Sequence, residues 1–426
     1  MRAEKLEIEN FRGMYGEHSI RFAPKLAVLV GVNGAGKSAV LDALAANLSG
    51  VASLIAGGRT AWFGAGEAAN VSAGEDVAFW FVHLNNRADE RTLLGHMAGD
   101  DPDWKGADLD ERPFGFLHTL GDQTTDLDKP LPFLAYLHSG STRAPASHPP
   151  RAVTMTGRLE AFKGAFDSES IQFDALESWF EQEENLENQR IIEEQKLKFQ
   201  LPSLRAVRKA VRVFLEELHG SGLGKIRVVR VHSNGQLAPA RGRLVVEKAD
   251  TPLFLNQLSD GERRLVLLVA DTARRMVILN PTMKDPLKTE GILLIDEIEL
   301  HLHPLWQRRV IPALQAAFPE LQLIVSTHAP AVLSGVPNES IIVLEDGKVL
   351  EGTPRAFGLD ANSILAGVMK TPILPDDVQR DVDEVYRLVD SDPDRAGDAI
   401  DALGKKVGAD HPELVRARGL LAFMAG

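Results

Sequence analysis

A glycine-rich segment near the amino terminus has the composition and spacing of a phosphate-binding loop. It fits the pattern G-x-x-x-x-G-K-[ST] and lies between a predicted strand and a predicted helix. Its glycines let the backbone fold around a phosphate chain with the amides pointing inward, and the helix adds its positive end. We expect Lys37 to reach the β- and γ-phosphates of a nucleotide and Ser38 to bind Mg²⁺. The predicted nucleotide-binding residues of the segment are Gly31, Asn33, Gly34, Ala35, Gly36, Lys37, Ser38 and Ala39.

A second candidate lies where the hydrophobic strand GILLI ends in two carboxylates. Asp296 is placed to hold Mg²⁺, directly or through water. Glu297 can polarise the water that attacks a γ-phosphate, which is the role of a general base. Many strands end in acids, so this signal becomes strong only together with the phosphate loop.

Two further segments add polar groups to the same chemistry. In LSDGER, Ser259 as N-cap and Gly261 in the first turn leave free amides at the start of an apolar helix, although alone the segment predicts only a well-capped helix. His328 follows the predicted strand LQLIV, where it can donate a hydrogen bond to a γ-phosphate. An isolated histidine at such a position is more often structural.

A mostly parallel α/β sheet is needed to bring these groups together. Short apolar runs bounded by turn residues predict buried strands, and strands that alternate with helices are typical of parallel sheets. The phosphate loop lies between a predicted strand at 26–30 and a helix at 37–48. The later strands are predicted at 292–296, 321–325 and 341–344, and the later helices at 260–279 and 305–317.

Taken in order, the motifs GVNGAGKS, LSDGER, LLIDEIELHLHP and STHAP resemble those of ATP-binding-cassette ATPases of the SMC/RecF class. The amino-terminal LEIENFRGM is similar to the opening strand and turn of that family. The resemblance covers residues 1–48 and 253–345. It implies an α/β fold, an ABC-type P-loop ATPase cassette, which hydrolyses ATP with Mg²⁺ as cofactor.

The resemblance also implies a homodimer, with a higher oligomer as the alternative. In the family, two chains sandwich two ATP molecules, and each signature segment caps the nucleotide on the other chain's phosphate loop. That role falls here on Ser259, Gly261 and Glu262, and Arg12 is expected near the nucleotide. The catalytic residues are predicted to be Glu297, His328 and Lys37.

The chain departs from the family pattern in two respects. The long coiled-coil insertion is missing, and the residues between the phosphate loop and the signature suffice only for a lobe and a short helical arm. The glutamine that contacts Mg²⁺ in the family has no clear counterpart, and Gln123 and Gln172 are the available candidates.

A narrower resemblance concerns compact bacterial ATPases of the same class. The segments FDALESWFEQEENLEN, LSDGERRLVLLVADTARRMVILNP and DEIELHLHPLWQR are similar to theirs. Some serve in anti-phage defence, including the ATPase subunit of Septu-type systems, which partners an HNH nuclease. The resemblance therefore implies a nucleotide-driven switch for an effector, an HNH-type nuclease, because the chain itself shows no nuclease site.

Four regions follow from this organisation. They are the amino-terminal half of the cassette at 1–170, a helical arm or lobe insertion at 171–225, the carboxyl-terminal half at 226–370 and a small helical bundle at 371–426. Within the arm, 181–196 is polar on nearly every face, which predicts a helix that is solvated or docks a partner. The next helix carries four basic residues on one side, Arg205, Arg208, Lys209 and Arg212. Such a face is by default exposed to solvent, and the alternative interpretation is a contact with DNA.

Composition limits the classes of function. The chain has 426 residues, a net charge of −13 and no cysteine, which excludes disulfides, thiolate zinc sites and cysteine nucleophiles. The net negative charge disfavours a protein whose whole surface coats nucleic acid. Double-stranded DNA stays a possible partner only if a local basic patch binds it. No apolar run approaches the ~20 residues of a membrane span and no secretory signal is visible, so a cytoplasmic protein without membrane contact is expected.

Two other functions stay open at this point. A RecF/SMC-like DNA-repair or chromosome-maintenance ATPase would bind DNA directly. The chain could instead be the energising subunit of a membrane transporter. This alternative is disfavoured, because HLHP follows the acidic pair and the signature segment is LSDGER instead of LSGGQ, and both features resemble the SMC/RecF class.

Two smaller signals favour structural interpretations. His301 and His303 could form a metal pair, but a loop at the dimer interface is favoured. The acids between Asp390 and Asp394 predict a helix-capping turn rather than a nuclease site.

Replacing the predicted general base tests this interpretation. Glu297→Gln keeps the size of the side chain and removes its basicity, so the variant should bind ATP, hydrolyse it at least ~100-fold more slowly and accumulate closed dimers. Phosphate release and size-exclusion chromatography with ATP measure both effects. Hydrolysis at the wild-type rate would show that another group is the base.

Overall fold

The computed structural model describes residues 1–56, 71–73, 75, 77–85, 91–99, 120, 123–138, 156–166, 173–218, 223–231, 241–248, 251–371 and 374–425. They form two compact units, Met1–Asp360 and Ala361–Gly426. The strands are β1 Arg2–Phe11, β2 Met14–Arg21, β3 Leu26–Val30, β4 Val77–Asn85, β5 Arg91–Gly99, β6 Phe133–Leu137, β7 Leu223–Val231, β8 Arg241–Lys248, β9 Thr251–Phe254, β10 Gly291–Ile295, β11 Leu321–Thr327, β12 Ile341–Glu345 and β13 Lys348–Val349. The α-helices are α1 Lys37–Ile55, α2 Phe173–Glu194, α3 Pro202–Leu218, α4 Asp260–Leu279, α5 Pro304–Gln307, α6 Val310–Ala317, α7 Pro330–Leu333, α8 Ala361–Gly367, α9 Asp376–Ser391, α10 Pro393–Val407 and α11 Pro412–Ala425.

A six-stranded sheet with the order β13-β12-β3-β11-β10-β6 forms the centre of the first unit. Its strands from β12 to β6 are parallel, and only β13 pairs in the antiparallel direction. Every residue of β3, β10 and β11 is buried, as expected for parallel strands that are covered on both faces. The predicted α/β cassette is therefore confirmed.

Helix α1 lies between this sheet and a second, antiparallel sheet with the order β2-β1-β4-β5. It is buried on nearly its whole circumference, and only Ser38, Ser49 and Leu54 are partly accessible to solvent. Among the described residues, α1 alone is long and apolar enough to cross a membrane, and its burial between two sheets makes it a core helix.

The predictions for the neighbourhood of α1 were partly wrong. Residues 49–76 alternate small and polar types with several glycines, which predicts a loosely structured insertion. Residues 49–55 instead continue α1, because most of their side chains are buried. The rest of that insertion lies largely outside the described residues. Strand β5 was not predicted, since its run RTLLGHMAG lacks the alternation of a half-buried strand.

The helical arm is a pair of helices, α2 and α3, and a three-stranded sheet with the order β7-β8-β9 packs beside it. The sequence predicts that Pro202 interrupts the helical pattern of this region, and α3 indeed begins at that residue. Helix α2, however, is not a freely solvated helix. Its Glu177, Glu181 and Glu184 accept hydrogen bonds from the backbone amides of Leu244, Gly242 and Val228 in β7 and β8. The polar face of α2 thus satisfies strand amides within the same chain.

The second unit is the predicted helical bundle, made of α9, α10 and α11 around a small apolar cluster. The buried residues of the cluster are Val382, Val385, Ile400, Leu403, Leu414 and Ala417. Asp392 caps α10 by accepting a hydrogen bond from the amide of Arg395, at 3.3 Å. The interpretation of the acidic segment as a helix-capping turn is confirmed.

Gly291 provides a test of the strand packing behind the site. Its φ is +151°, and a Cβ built there would lie 1.9 Å from the carbonyl oxygen of Phe133 in β6. Gly291→Ala must push β10 away from β6, so we expect the free energy of unfolding to fall by about 3 kcal/mol in chemical denaturation. Gly224→Ala is the control, because the nearest atom is 3.6 Å away in another strand pair. Equal stability of the two variants would contradict this packing argument.

Candidate nucleotide-binding site

The predicted site residues meet at the carboxyl edge of the parallel sheet. In register, Val30 of β3 pairs with Thr327 of β11, and Val325 of β11 pairs with Ile295 of β10. The phosphate loop, His328 and Asp296 each come directly after one of these strands. The sheet therefore places at one edge three segments that are far apart in sequence, at the kind of position where open α/β sheets bind ligands.

The phosphate loop adopts a conformation that only its glycines allow easily. Gly34 and Gly36 have φ values of +84° and +103°, in the left-handed region. A Cβ on Gly31 would lie 2.2 Å from the carbonyl oxygen of Leu344. Asn33 is exposed at the top of the loop, whereas Ala35 and Ala39 are buried beneath it. The phosphate loop is therefore tightly folded on its inner side and accessible on its outer side, as binding of a phosphate chain requires.

Lys37 lies inside this loop. Its Nζ donates hydrogen bonds to the carbonyl oxygens of Gly31 and Val32, at 2.8 and 3.0 Å. Burial lowers the pKa of Lys37, and the negative charges of Asp296, Glu299 and Glu297 act in the opposite direction. A buried ammonium held by neutral carbonyls, close to several carboxylates, is well placed to bind a phosphate oxygen.

Ser38 and Asp296 form the candidate Mg²⁺ site. The hydroxyl of Ser38 lies 3.3 and 3.2 Å from the two carboxylate oxygens of Asp296 and donates to them. Ser326 also donates to Asp296, at 2.5 Å, and fixes the orientation of the carboxylate. A hydroxyl facing a carboxylate supplies oxygen ligands of the type that Mg²⁺ prefers, so these residues fit the ion.

Glu297 is held in a strained backbone conformation next to this pair. Its φ is +48°, and its amide donates to the Ser326 hydroxyl at 2.8 Å. Arg264 of α4 donates hydrogen bonds to the carbonyl oxygens of Asp296, Glu297 and Leu300, at 3.1 to 3.3 Å. Burial lowers the pKa of Arg264. Sequence reasoning missed this arginine, because its contacts are with backbone carbonyls that no motif identifies.

The signature segment begins α4 as a capping box. Ser259 accepts from the amide of Glu262, and the Glu262 carboxylate accepts from the Ser259 amide at 3.0 Å. The other oxygen of Glu262 accepts from Lys248 at 2.6 Å, so both oxygens are engaged within the chain. A Cβ on Gly261 would lie 2.3 Å from the carbonyl oxygen of His301. The N-cap is confirmed, and nucleotide contact by these residues stays a prediction.

His328 and Arg12 each have a carboxylate partner. The amide of His328 donates to Oε1 of Glu299 at 2.8 Å, and its Nδ1 lies 3.1 Å from the same oxygen. Arg12 pairs with Asp42 of α1, which also accepts from the Tyr136 hydroxyl at 3.0 Å. Asp42 is one helical turn after Ser38 in α1, so Arg12 lies one turn away from this predicted Mg²⁺ ligand. The contact of Glu299 was not predicted, because its partner His328 follows a different strand, 29 residues further along the chain.

The remaining candidates have local explanations. His303 caps α5, its Nδ1 accepting from the Leu305 amide at 3.3 Å. Within the part of the chain that the structure describes, no group of three or more His, Cys, Asp or Glu could hold a metal ion. Gln123 lies in a short 3₁₀ turn, and Gln172 lies outside the described residues.

Most of the basic face of α3 is paired. Arg208 bonds Glu184 and Glu187 of α2, at 2.9 and 2.8 Å. Lys209 bonds Asp285 and Arg212 bonds Glu216. These pairs reduce the positive charge that the face could offer to DNA.

Comparison with known protein families decides the class. Residues 109–334, more than half of the chain, match the family model described as "AAA domain, putative AbiEii toxin, Type IV TA system". Residues 5–92 match a second model, described as "AAA domain". The chain belongs to the AAA family.

Several curated relatives are similar to parts of this AAA ATPase domain. The Retron Vc95 probable ATPase of Vibrio cholerae serotype O1 biovar El Tor is 43% identical over 136 residues, which are 31% of this chain and 26% of that protein. The Retron Ec83 probable ATPase of Escherichia coli is 36% identical over 179 residues, 42% of this chain and 32% of that protein. The Septu protein PtuA of Bacillus mycoides (strain KBAB4) is 36% identical over 116 residues, 26% of this chain and 16% of that protein.

The matched segments span a third or less of the length of these relatives. They confirm the resemblance to compact bacterial ATPases that include the Septu ATPase subunit. Among solved structures, the SmcHead bound to the C-winged helix domain of ScpA is similar over 83% of this chain and 98% of that chain, with 17% identity and a TM-score of 0.48.

Lys37 is the residue whose loss should weaken nucleotide binding most directly. In Lys37→Ala the AAA domain loses the ammonium inside the phosphate loop, so we expect ATP affinity to fall at least ~100-fold, a loss of about 3 kcal/mol. Lys25→Ala is the control, because Lys25 is a half-exposed lysine paired with Glu320. Isothermal titration with a non-hydrolysable ATP analogue measures both affinities. Undiminished binding by Lys37→Ala would refute the phosphate-loop assignment.

Proposed function

We propose that this AAA domain binds ATP and Mg²⁺ between two copies of the chain and hydrolyses the ATP. In this proposal, the nucleotide state switches a partner effector, an HNH-type nuclease, in bacterial anti-phage defence. The observation that carries the catalytic part is the convergence of Lys37, Ser38 and Asp296 at one sheet edge, with Glu297 next in the chain.

Each residue has a distinct task in hydrolysis. Lys37 would exchange its two neutral carbonyl acceptors for phosphate oxygens, which adds the attraction between opposite charges to its hydrogen bonds. Ser38 and Asp296 would hold Mg²⁺, which, when bound, neutralises charge on the β- and γ-phosphate oxygens. Glu297 would accept a proton from the attacking water. Phosphoryl transfer needs chiefly positioning and charge stabilisation, and this edge of the sheet supplies both.

The family resemblance and the start of α4 support the proposed dimer. Ser259 and Gly261 stand at the amino-terminal end of a twenty-residue helix, where backbone amides and the helix dipole favour an anion. In the proposed dimer, this end meets the γ-phosphate bound by the partner's phosphate loop. Closure therefore requires ATP in place, and hydrolysis removes the group that joins the two chains.

The switch role rests on the relatives. Two probable retron ATPases and a Septu PtuA match segments of this chain, and it is the resemblance to the Septu ATPase subunit that implies a defence role and an HNH nuclease partner. A cytoplasmic location fits this role. A RecF/SMC-like ATPase that binds DNA directly has less support, because three of the four cations on the basic face of α3 are paired with carboxylates.

Purification of the trapped state tests the switch. The Glu297→Gln chain, purified with ATP from its native host, should retain a nuclease at fixed stoichiometry, because it accumulates the closed state. Mass spectrometry identifies the partner, and Lys37→Ala, which should not close, is the matched control. Recovery of the chain with DNA and no nuclease would replace the effector role with repair or chromosome maintenance.

A further inference from the structure

Two elements of the fold fix the turn that carries the proposed base. We call residues 296–301, which follow β10, the base turn. Glu297 and His301 in this turn have φ values of +48° and +62°, which are uncommon for residues other than glycine. Such conformations persist where surrounding contacts fix them. Ser326 of β11 supplies two of these contacts, because its hydroxyl accepts the Glu297 amide at 2.8 Å and its carbonyl oxygen accepts the Ile298 amide at 3.1 Å. The base turn is therefore anchored to the central sheet.

Helix α4 is the second element that fixes the base turn. The guanidinium of Arg264 donates hydrogen bonds to three carbonyl oxygens of the turn, among them that of Glu297, at 3.1 to 3.3 Å. The first turn of α4 also packs closely against it, since a Cβ on Gly261 would lie 2.3 Å from the carbonyl oxygen of His301. A guanidinium presents its N–H donors in a rigid plane, so three bonds to one turn hold it in a defined orientation. A movement of α4 must therefore carry the base turn with it.

The two segments that Arg264 joins serve different nucleotides in the proposed dimer. Glu297 would act on the ATP in the phosphate loop of its own chain, because the preceding residue, Asp296, faces Ser38. The amino-terminal end of α4 would instead cap the ATP in the partner's phosphate loop. The hydrogen bonds of Arg264 thus form a direct connection, within one chain, between the two ATP sites.

We propose that Arg264 is a positioning residue that couples the two ATP sites of the dimer. When α4 docks on the partner's nucleotide, Arg264 draws the base turn along and brings Glu297 to the water at the chain's own site. When the partner's phosphate loop is empty, α4 has no such anchor and Glu297 is poorly placed. Coupling between two sites needs an element whose position both ligands bias, and α4 with the base turn is that element. This inference rests on the proposed ATP dimer and deepens it.

Mixed dimers with a single active chain test the coupling. Glu297→Gln and Lys37→Ala should both hydrolyse little ATP, but only Glu297→Gln should keep its phosphate loop filled. An excess of either inert chain therefore pairs each active chain with an occupied or an empty second site. Phosphate release per active chain is measured at saturating ATP and saturating inert chain, after subtraction of the inert chain alone. The wild-type active chain should hydrolyse ATP at least about 10-fold faster with the Glu297→Gln partner than with the Lys37→Ala partner.

Arg264→Lys in the active chain separates coupling from a purely structural role. Lysine keeps the charge but replaces the planar guanidinium by a single ammonium group, so it cannot hold three carbonyls in the same way. We expect hydrolysis to fall about 10- to 100-fold with the Glu297→Gln partner and less than about twofold with the Lys37→Ala partner. Affinity for a non-hydrolysable ATP analogue should stay within about threefold of wild type. Arg190→Lys, at an exposed arginine of α2 paired with Glu194, is the matched control and should behave as wild type.

The outcomes distinguish failure of this inference from failure of the proposed function. A similar loss with both partners would show that Arg264 only maintains the structure of the site. Equal rates of the wild-type active chain with the two partners would show that the two sites are independent. Either result overturns the coupling and leaves the ATPase intact. No hydrolysis by the wild-type chain, alone or with the Glu297→Gln partner, would refute the proposed ATPase itself.

Discussion

The parallel pairing of β3, β11 and β10 is the constraint on which the rest of the site depends. Parallel strands in register end at the same edge of the sheet, so the segments that follow them must share one small region. The phosphate loop, Asp296 and His328 are brought together in this way. Helix α1, buried between two sheets, then fixes Ser38 opposite Asp296. A shift of one strand would separate these groups, which is why the pairing matters more than any single contact.

The same edge collects several charges with little solvent around them, and each is balanced by the others. Lys37 and Arg264 lie among Asp296, Glu297 and Glu299, and burial alone would disfavour the charged form of both cations. Opposite charges at short range offset that penalty. Arg264 adds a mechanical role, because its hydrogen bonds to three carbonyls tie the signature helix to the turn that carries the proposed base. Arg264 thus links, within one chain, the signature helix to the turn with the proposed base. In the proposed dimer these two segments serve different ATP molecules.

Helix α2 shows a different use of charge. Several of its glutamates lie on one side of the helix. There they accept hydrogen bonds from backbone amides of β7 and β8 and from the guanidinium of Arg208. The sequence of the helix alone shows polar residues on nearly every face, which predicts a helix that is solvated or docks a partner. The acceptors are instead used by the chain's own strands, because buried backbone amides need partners wherever they lie.

The sequence by itself determined the features that depend on neighbouring residues. The phosphate loop, the carboxylates after β10, the N-cap at Ser259 and the break at Pro202 each follow from a short pattern, because local geometry needs particular residue types at fixed spacing. Alternating strands and helices likewise predicted the parallel sheet. Only the tertiary structure decided that Arg264 holds the turn at Glu297, that Glu299 lies behind His328 and that α2 caps strand amides. Those contacts join segments 29 to 67 residues apart, and their partners are backbone atoms or single side chains that leave no periodic signal in the sequence.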